Sequence, residues 1–201
     1  MTDSGTIRTR LADDGCCEIT IDRADEGNVL THAMTEALSA AFRAPPEGTR
    51  FVLLNAAGAD FCAGRVSPMP KPGVVMTAEA LRHRVAEPVL SFYAAVRSTP
   101  LPVIVAVRGR AHGVGREPLD AAAAVQIGLA SEACPAGELD GRVAAYRSAL
   151  SANGATSLAT VKRFLNLAAG SGFEVLREYA ASANSAAASE RFVTPSDGAS
   201  R

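Results

Sequence analysis

The chain of 201 residues has no C-x-x-C pair, no block of like charge and no apolar run long enough to span a bilayer. Each absence removes a class of function. Cys16, Cys17, Cys62 and Cys134 stand at no paired spacing with His32, His83 and His112, which argues against a zinc site and against a disulfide framework. The formal net charge is −1 and the arginines are scattered, so no basic groove for nucleic acid is expected. The opening MTDSGTIRTRLADDG is polar and mixed in charge, without the apolar core of an export signal. The expectation is a reduced, cytoplasmic protein with no membrane partner, no metal and no resident cofactor. With 48% hydrophobic residues the chain can bury a core of one domain, or of one domain with an appendage.

What is present is organised around two similar stretches. Phe51 to Arg65, FVLLNAAGADFCAGR, and Pro102 to Glu117, PVIVAVRGRAHGVGRE, each read as a buried apolar strand that empties into a glycine-bearing turn. At such a turn the backbone can approach a ligand closely and aim an N–H at it. Two of them together could form an anion hole.

The other elements follow in order. Cys17 to Asp22 alternates as a strand, with Ile19 and Ile21 on one face and Gly15 supplying the turn before it. Asn28 reads as a turn residue tolerant of left-handed backbone rather than a substrate contact. Thr31 is placed to cap a helix running to about Arg43, with Met34, Leu38, Ala41 and Phe42 on its inner face and Pro45-Pro46 ending it. His32 should be exposed. Ser67 to Gly73 is a proline-rich connection. A helix from Ala78 to about Arg97 carries the stripe Leu81, Val85, Val89, Phe92 and Val96, and Pro88 should kink it or split it in two. His83 falls off that stripe and faces solvent. His112 reads as a side chain packing the second turn. The rest is helical, over Arg142 to Leu150, Thr156 to Ala168 and Phe173 to about Arg191, with Gly154, Gly170 and Gly172 between.

F-C-A-G-R after a G-x-x-F approach, followed by P-V-I-V-A-V-x-G-x-A-x-G-V-G, resembles the enoyl-CoA hydratase/isomerase (crotonase) superfamily. Arg23, Asn28, Leu30 and Met34 match its R-P-x-x-x-N-x-L…M signature, with Ala24 in place of the proline. The resemblance implies an α/β spiral of ββα units over residues 5–140 and a C-terminal helical segment over 141–201 that in relatives mediates trimerisation. It implies an acyl-CoA thioester as the small-molecule ligand. It also implies an oxyanion hole made by the backbone N–H groups of Arg65 and Val114, with Ala63, Gly64, Val66 and Gly113 lining the substrate. A homo-oligomer, a trimer or a dimer of trimers, would follow.

The match is interrupted. The family carries one carboxylate just after the glycine turn and a second in a later P-E segment. Glu117 falls at the first position and is the candidate catalytic base; the second has no counterpart. Directly after Glu117, PLDAAAAVQIGLASEACPAGELD already resembles a much later part of the family, so an internal deletion after residue 117 is expected. Pro118 forbids an unbroken helix from the second turn. Hydration needs two carboxylates, so isomerisation, decarboxylation or thioester hydrolysis fits these residues better. Two rivals stand beside this reading. One is a member without catalysis, acting as a binding module or subunit. The other is a serine hydrolase on the same spiral, for which Ser67, Ser98 and His112 are candidates although no G-x-S-x-G elbow exists.

Overall fold

A computed structural model describes residues 5–66, 77–112 and 119–168. Its frame is a four-stranded sheet in chain order, with β1 (Thr6–Leu11), β2 (Cys16–Asp22), β3 (Phe51–Ala56) and β4 (Val103–Val105). The first pair is an antiparallel hairpin, closed by Gly15 at φ 79°, and β2–β3 and β3–β4 are parallel. Parallel neighbours need crossovers. Helix α1 (His32–Arg43) supplies the first. The second contains α2 (Ala78–Leu81) and α3 (Glu87–Ser98).

Periodicity explains which face of each element is buried. Cys17, Ile19 and Ile21 of β2 and Val52 and Leu54 of β3 point to one side of the sheet. There they meet Met34, Leu38 and Phe42 of α1 and Ala95 of α3, with Phe92 and Val96 packed alongside. Burying a side chain such as Leu38 or Phe42 contributes roughly 1.5–3 kcal/mol, so this layer carries most of the stability. Thr31 caps α1 by accepting from the Met34 N–H at 3.2 Å, and the helix stops at Arg43, both as the sequence indicates.

Pro88 acts as expected, and the structure shows how. Between α2 and α3 the backbone widens into one π turn, Arg82–Ala86, and α3 begins with Pro88 in its first turn. Proline has no N–H for the carbonyl four residues back and its ring collides with it, so the ladder shifts by one residue just before it. The side chains of Phe92 and Val96 join the core. His83 is exposed and lies 2.6 Å from Glu87. His32, also exposed, lies 3.4 Å from Glu36.

The second face of the sheet is covered differently. Helix α5 (Leu139–Ser151), three residues longer at its start than the sequence suggests, lies over Cys16, Phe51 and Leu53 and brings Val143 and Leu150 to them. No residue of α5 is fully buried. Charged clamps hold it instead. Arg147 donates to Asp14 at 3.0 Å and to Glu18 at 2.5 Å, Arg108 reaches Asp140 at 2.9 Å, and Arg50 donates to the carbonyls of Ser151 and Asn153 at the helix end. Short α4 (Ala121–Gln126), capped by Asp120, precedes α5, and α6 (Ala155–Ala168) follows it.

Two expectations need correction. The second strand is shorter than Pro102 to Val107, for only Val103–Val105 forms a ladder, although the Ala106 N–H still reaches Leu54. Strand β1 lies in the stretch the sequence presents as merely polar; it forms because β2 offers it a paired edge, and Arg8 and Arg10 hold Asp22 and Glu18 across the hairpin. The proline-rich connection at Ser67 to Gly73 and the helix expected over Phe173 to Arg191 lie outside the described residues. No helix among the described residues is long and apolar enough to cross a membrane.

Candidate functional site

The two glycine-bearing turns lie against each other. Cys62 donates its N–H to Arg110 at 2.9 Å and accepts from the His112 N–H at 2.8 Å, so Cys62 and Ala111 face each other as in a parallel ladder. Asp60 locks the pair by accepting from the Arg110 N–H at 2.8 Å, from its Nε at 3.0 Å and from its Nη2 at 2.6 Å. These guanidinium and backbone bonds hold the Asp60 carboxyl down at about 2. Gly109, at φ 60°, permits the approach, since a side chain there would begin 2.2 Å from the Ala59 carbonyl oxygen.

On its other side the first turn is fastened to the exit of β2. Ala63 donates to Gly27, Leu30 donates to Gly64, and Val66 donates to Leu30. Asn28 completes the join. It is fully buried at φ 55°, its Oδ1 accepts from the Arg23 N–H at 2.8 Å, and its Nδ2 donates to Ala57 at 2.7 Å and to Asp60 at 2.6 Å. The reading of Asn28 as a left-handed turn residue holds, and its amide also ties the exit of β2 to the turn after β3.

Residues 62–66 therefore run between segment 27–30 and segment 110–112. Because the bridge between Leu30 and Arg65 uses the N–H of Leu30 and the N–H of Val66, the N–H of Arg65 itself points away from Leu30. Gly64 makes this turn possible at φ 130°, a conformation that residues with a side chain rarely adopt. Arg65 is half-buried, Val66 is 48% exposed, and Ala63 and Gly64 lie between them and Cys62. Among the predicted site residues, these four are brought together. Gly113, Val114 and Glu117 lie outside the described residues, as do Pro118 and Ser67.

Other candidates are reassigned. The side chain of His112 is exposed, so its backbone rather than its ring joins the turns. Ser98 directs its hydroxyl to the Ala95 carbonyl at 3.4 Å, on α3, and so gives the hydrolase reading no support. Cys62 is no better, because burial pushes its thiol up. No cluster of metal-ligating side chains is gathered among the described residues. Asp60 and Arg110 were not singled out in the sequence. Opposite charges at similar offsets after the two apolar strands are the one signal that could have marked them.

Comparison with known proteins adds the lineage. The family model for enoyl-CoA hydratase/isomerase matches residues 12–117. The "Probable enoyl-CoA hydratase" of Rhodobacter capsulatus is 35% identical over 111 residues, which are 55% of this chain and 41% of that protein. The chain thus spans well under half the length of this curated relative. Among solved structures, the enoyl-CoA hydratase of Mycobacterium smegmatis superposes with a TM-score of 0.76 at 21% identity, over 94% of this chain and 92% of the other. A Thermobifida fusca protein assigned to the enoyl-CoA hydratases, in complex with CoA, gives 0.78 at 20% identity over 92% and 93%. A Thermobifida fusca structure in complex with acetoacetyl-CoA gives 0.74 at 20% identity over 92% and 95%. At these identities the superpositions speak for the crotonase fold.

Proposed function

Since the chain belongs to the enoyl-CoA hydratase/isomerase family, we propose that it binds an acyl-CoA thioester and stabilises the enolate formed from it. The observation that carries this reading is the pairing of the two turns through Cys62 and Ala111, with the N–H of Arg65 directed away from Leu30. A thioester oxygen accepting from Arg65 and Val114 would gain charge as the α-proton leaves, and two preset donors favour that charged form over the neutral one. Loss of one such donor typically costs roughly 2.7–4 kcal/mol of transition-state stabilisation. CoA and acetoacetyl-CoA bound in two solved structures of the same fold support this class of ligand.

Glu117 is the base in this proposal, taking the proton from the α-carbon. Asp60 is unsuited to that work: held at about 2 by Arg110, its carboxylate has little affinity for a proton at neutral pH. With one working carboxylate, isomerisation, decarboxylation or thioester hydrolysis is favoured over hydration. A second reading, binding without turnover, is favoured by the same observation on Asp60, because it is the one carboxylate in the described part of the paired turns and Arg110 already holds it.

One experiment separates them. Purified protein is titrated with acetyl-CoA and crotonyl-CoA while thermal shift and the enoyl absorbance are followed, with Glu117→Gln as the control. Stabilisation by both ligands with turnover that disappears in the control supports catalysis through Glu117. Stabilisation without turnover supports the binding module. No shift with either ligand removes the acyl-CoA reading.

A further inference from the structure

Between α5 and the second face of the sheet lies a slot of about 570 Å³. Its floor is Leu53, Asn55 and Ala106, and its roof is the face of α5 that carries Val143, Ala144 and Arg147. The volume falls within the range of small-molecule sites, roughly 300–1,000 Å³. Two features define what would fit.

The first is charge. The ionic groups around the slot neutralise one another: Arg147 serves Asp14 and Glu18, Arg10 serves Glu18 as well, and Arg108 serves Asp140. Three guanidinium groups thus face three carboxylates, and a charged ligand would have to break a pair to find a partner. The second is Asn55. Its Oδ1 is buried and has no hydrogen-bond partner among the described residues, and its Nδ2 makes no bond to them either. A buried amide oxygen left without a partner is costly, and it is uncommon in a native protein unless something else satisfies it. Whichever way the amide is turned, it presents one donor and one acceptor. The complement of that pattern is another amide.

We propose that the slot under α5 binds an uncharged, mostly apolar molecule bearing one amide group, which pairs with the side chain of Asn55. The apolar part lies along Leu53, Ala106 and Val143, and the ion pairs made by Asp140 and Arg147 flank it. This site is separate from the paired turns and does not depend on the acyl-CoA reading.

The test uses the full chain and three probes of equal chain length: hexanamide, hexan-1-amine and hexanoate. The side-chain amide resonance of Asn55 is followed by NMR during titration. Hexanamide should move that resonance saturably, whereas the two charged probes should leave it in place at the same concentration. Asn55→Leu should weaken hexanamide binding by about tenfold or more, the equivalent of one lost hydrogen-bonded pair, while the protein melts no earlier. Val143→Trp, which keeps Asn55 but fills the slot, should also abolish the response. The proposal is overturned if hexanamide produces no saturable shift, the result expected when only water meets Asn55. It is equally overturned if Asn55→Leu binds hexanamide as well as the parent, or if hexanoate binds as tightly.

Discussion

Asp60 grips Arg110 at three points, the backbone N–H, Nε and Nη2, and so fixes the turn after β4 to the turn after β3 across fifty residues of chain. The backbone pairing of Cys62 with Arg110 and His112 sits directly beside it.

The pH behaviour of this join follows from sign. The Asp60 carboxyl is depressed from 3.8 to about 2 in the folded chain, so its contribution is complete above the ordinary value and is lost as pH falls through about 2. Amide exchange at Cys62 and His112 should therefore accelerate between about pH 4 and 2, beyond the intrinsic pH trend. Asp60→Asn should exchange faster already at neutral pH and show no such step. A variant that kept the acid step would assign it to another group.

The clamp on α5 should fail in the same direction. Hydrogen bonds from Arg147 hold Asp14 below its ordinary value; for Glu18, burial pushes the carboxyl up, but Arg10 and Arg147 outweigh burial and hold it down. Both contributions are present above the ordinary carboxylate range and fade as pH drops through and below it. Arg147→Met should cost about 2 kcal/mol, a fall in melting temperature of roughly 4–8 °C, at neutral pH and progressively less in acid. Thermal melts of both proteins across pH 7 to 3 would show the two curves converging.

Asn28 has no simple substitute. Asn28→Gly keeps the backbone conformation but leaves the Arg23 N–H and two carbonyls unpaired; Asn28→Ala adds strain at φ 55°. Each unpaired buried group costs roughly 1–3 kcal/mol. Both variants should be strongly destabilised, with Ala the worse. Denaturant unfolding that found Gly equal to the parent would refute the role given to the amide.

Gly64 offers a test that separates binding from stability. Nothing lies within 4 Å of a side chain placed there, so Gly64→Ala pays only for its backbone at φ 130°. The strain, on the order of 1–3 kcal/mol, should be relieved by rotating the neighbouring peptide, which carries the Arg65 N–H. Acetyl-CoA affinity should then fall by more than the melting temperature implies. Equal losses in both would disconnect Gly64 from the ligand.

Pro88 predicts a gain. Pro88→Ala restores an N–H at the place where the ladder shifts, so the π turn at Arg82–Ala86 should revert to α geometry. Far-ultraviolet circular dichroism should show more helix, and the chemical shifts of residues 82–86 should move. An unchanged spectrum would assign the turn to packing instead.

These residues also show what a single chain discloses. Gly15, Thr31, Pro88 and the two apolar strands were legible because the cause of each lies within a few neighbours: a positive φ, a cap, a missing N–H, a buried run. Strand β1 was not, since a polar, largely exposed segment becomes a strand only when a partner edge is present. The clamps were not either. Arg147 stands 133 residues from Asp14 and 129 from Glu18, and nothing local marks any of the three. At the site, the turns could be located and their fastening by Asn28 and Asp60 could not, because that fastening is a property of three segments meeting.

The order of the sheet sets a timetable for the chain's own synthesis. Each strand pairs with the one before it, so a chain leaving the ribosome can complete its hairpin, then add β3 and β4, without inserting a late strand between early ones. Arg147 emerges long after its partners. Until then the second face of the sheet, with Cys16, Phe51 and Leu53 on it, stays uncovered.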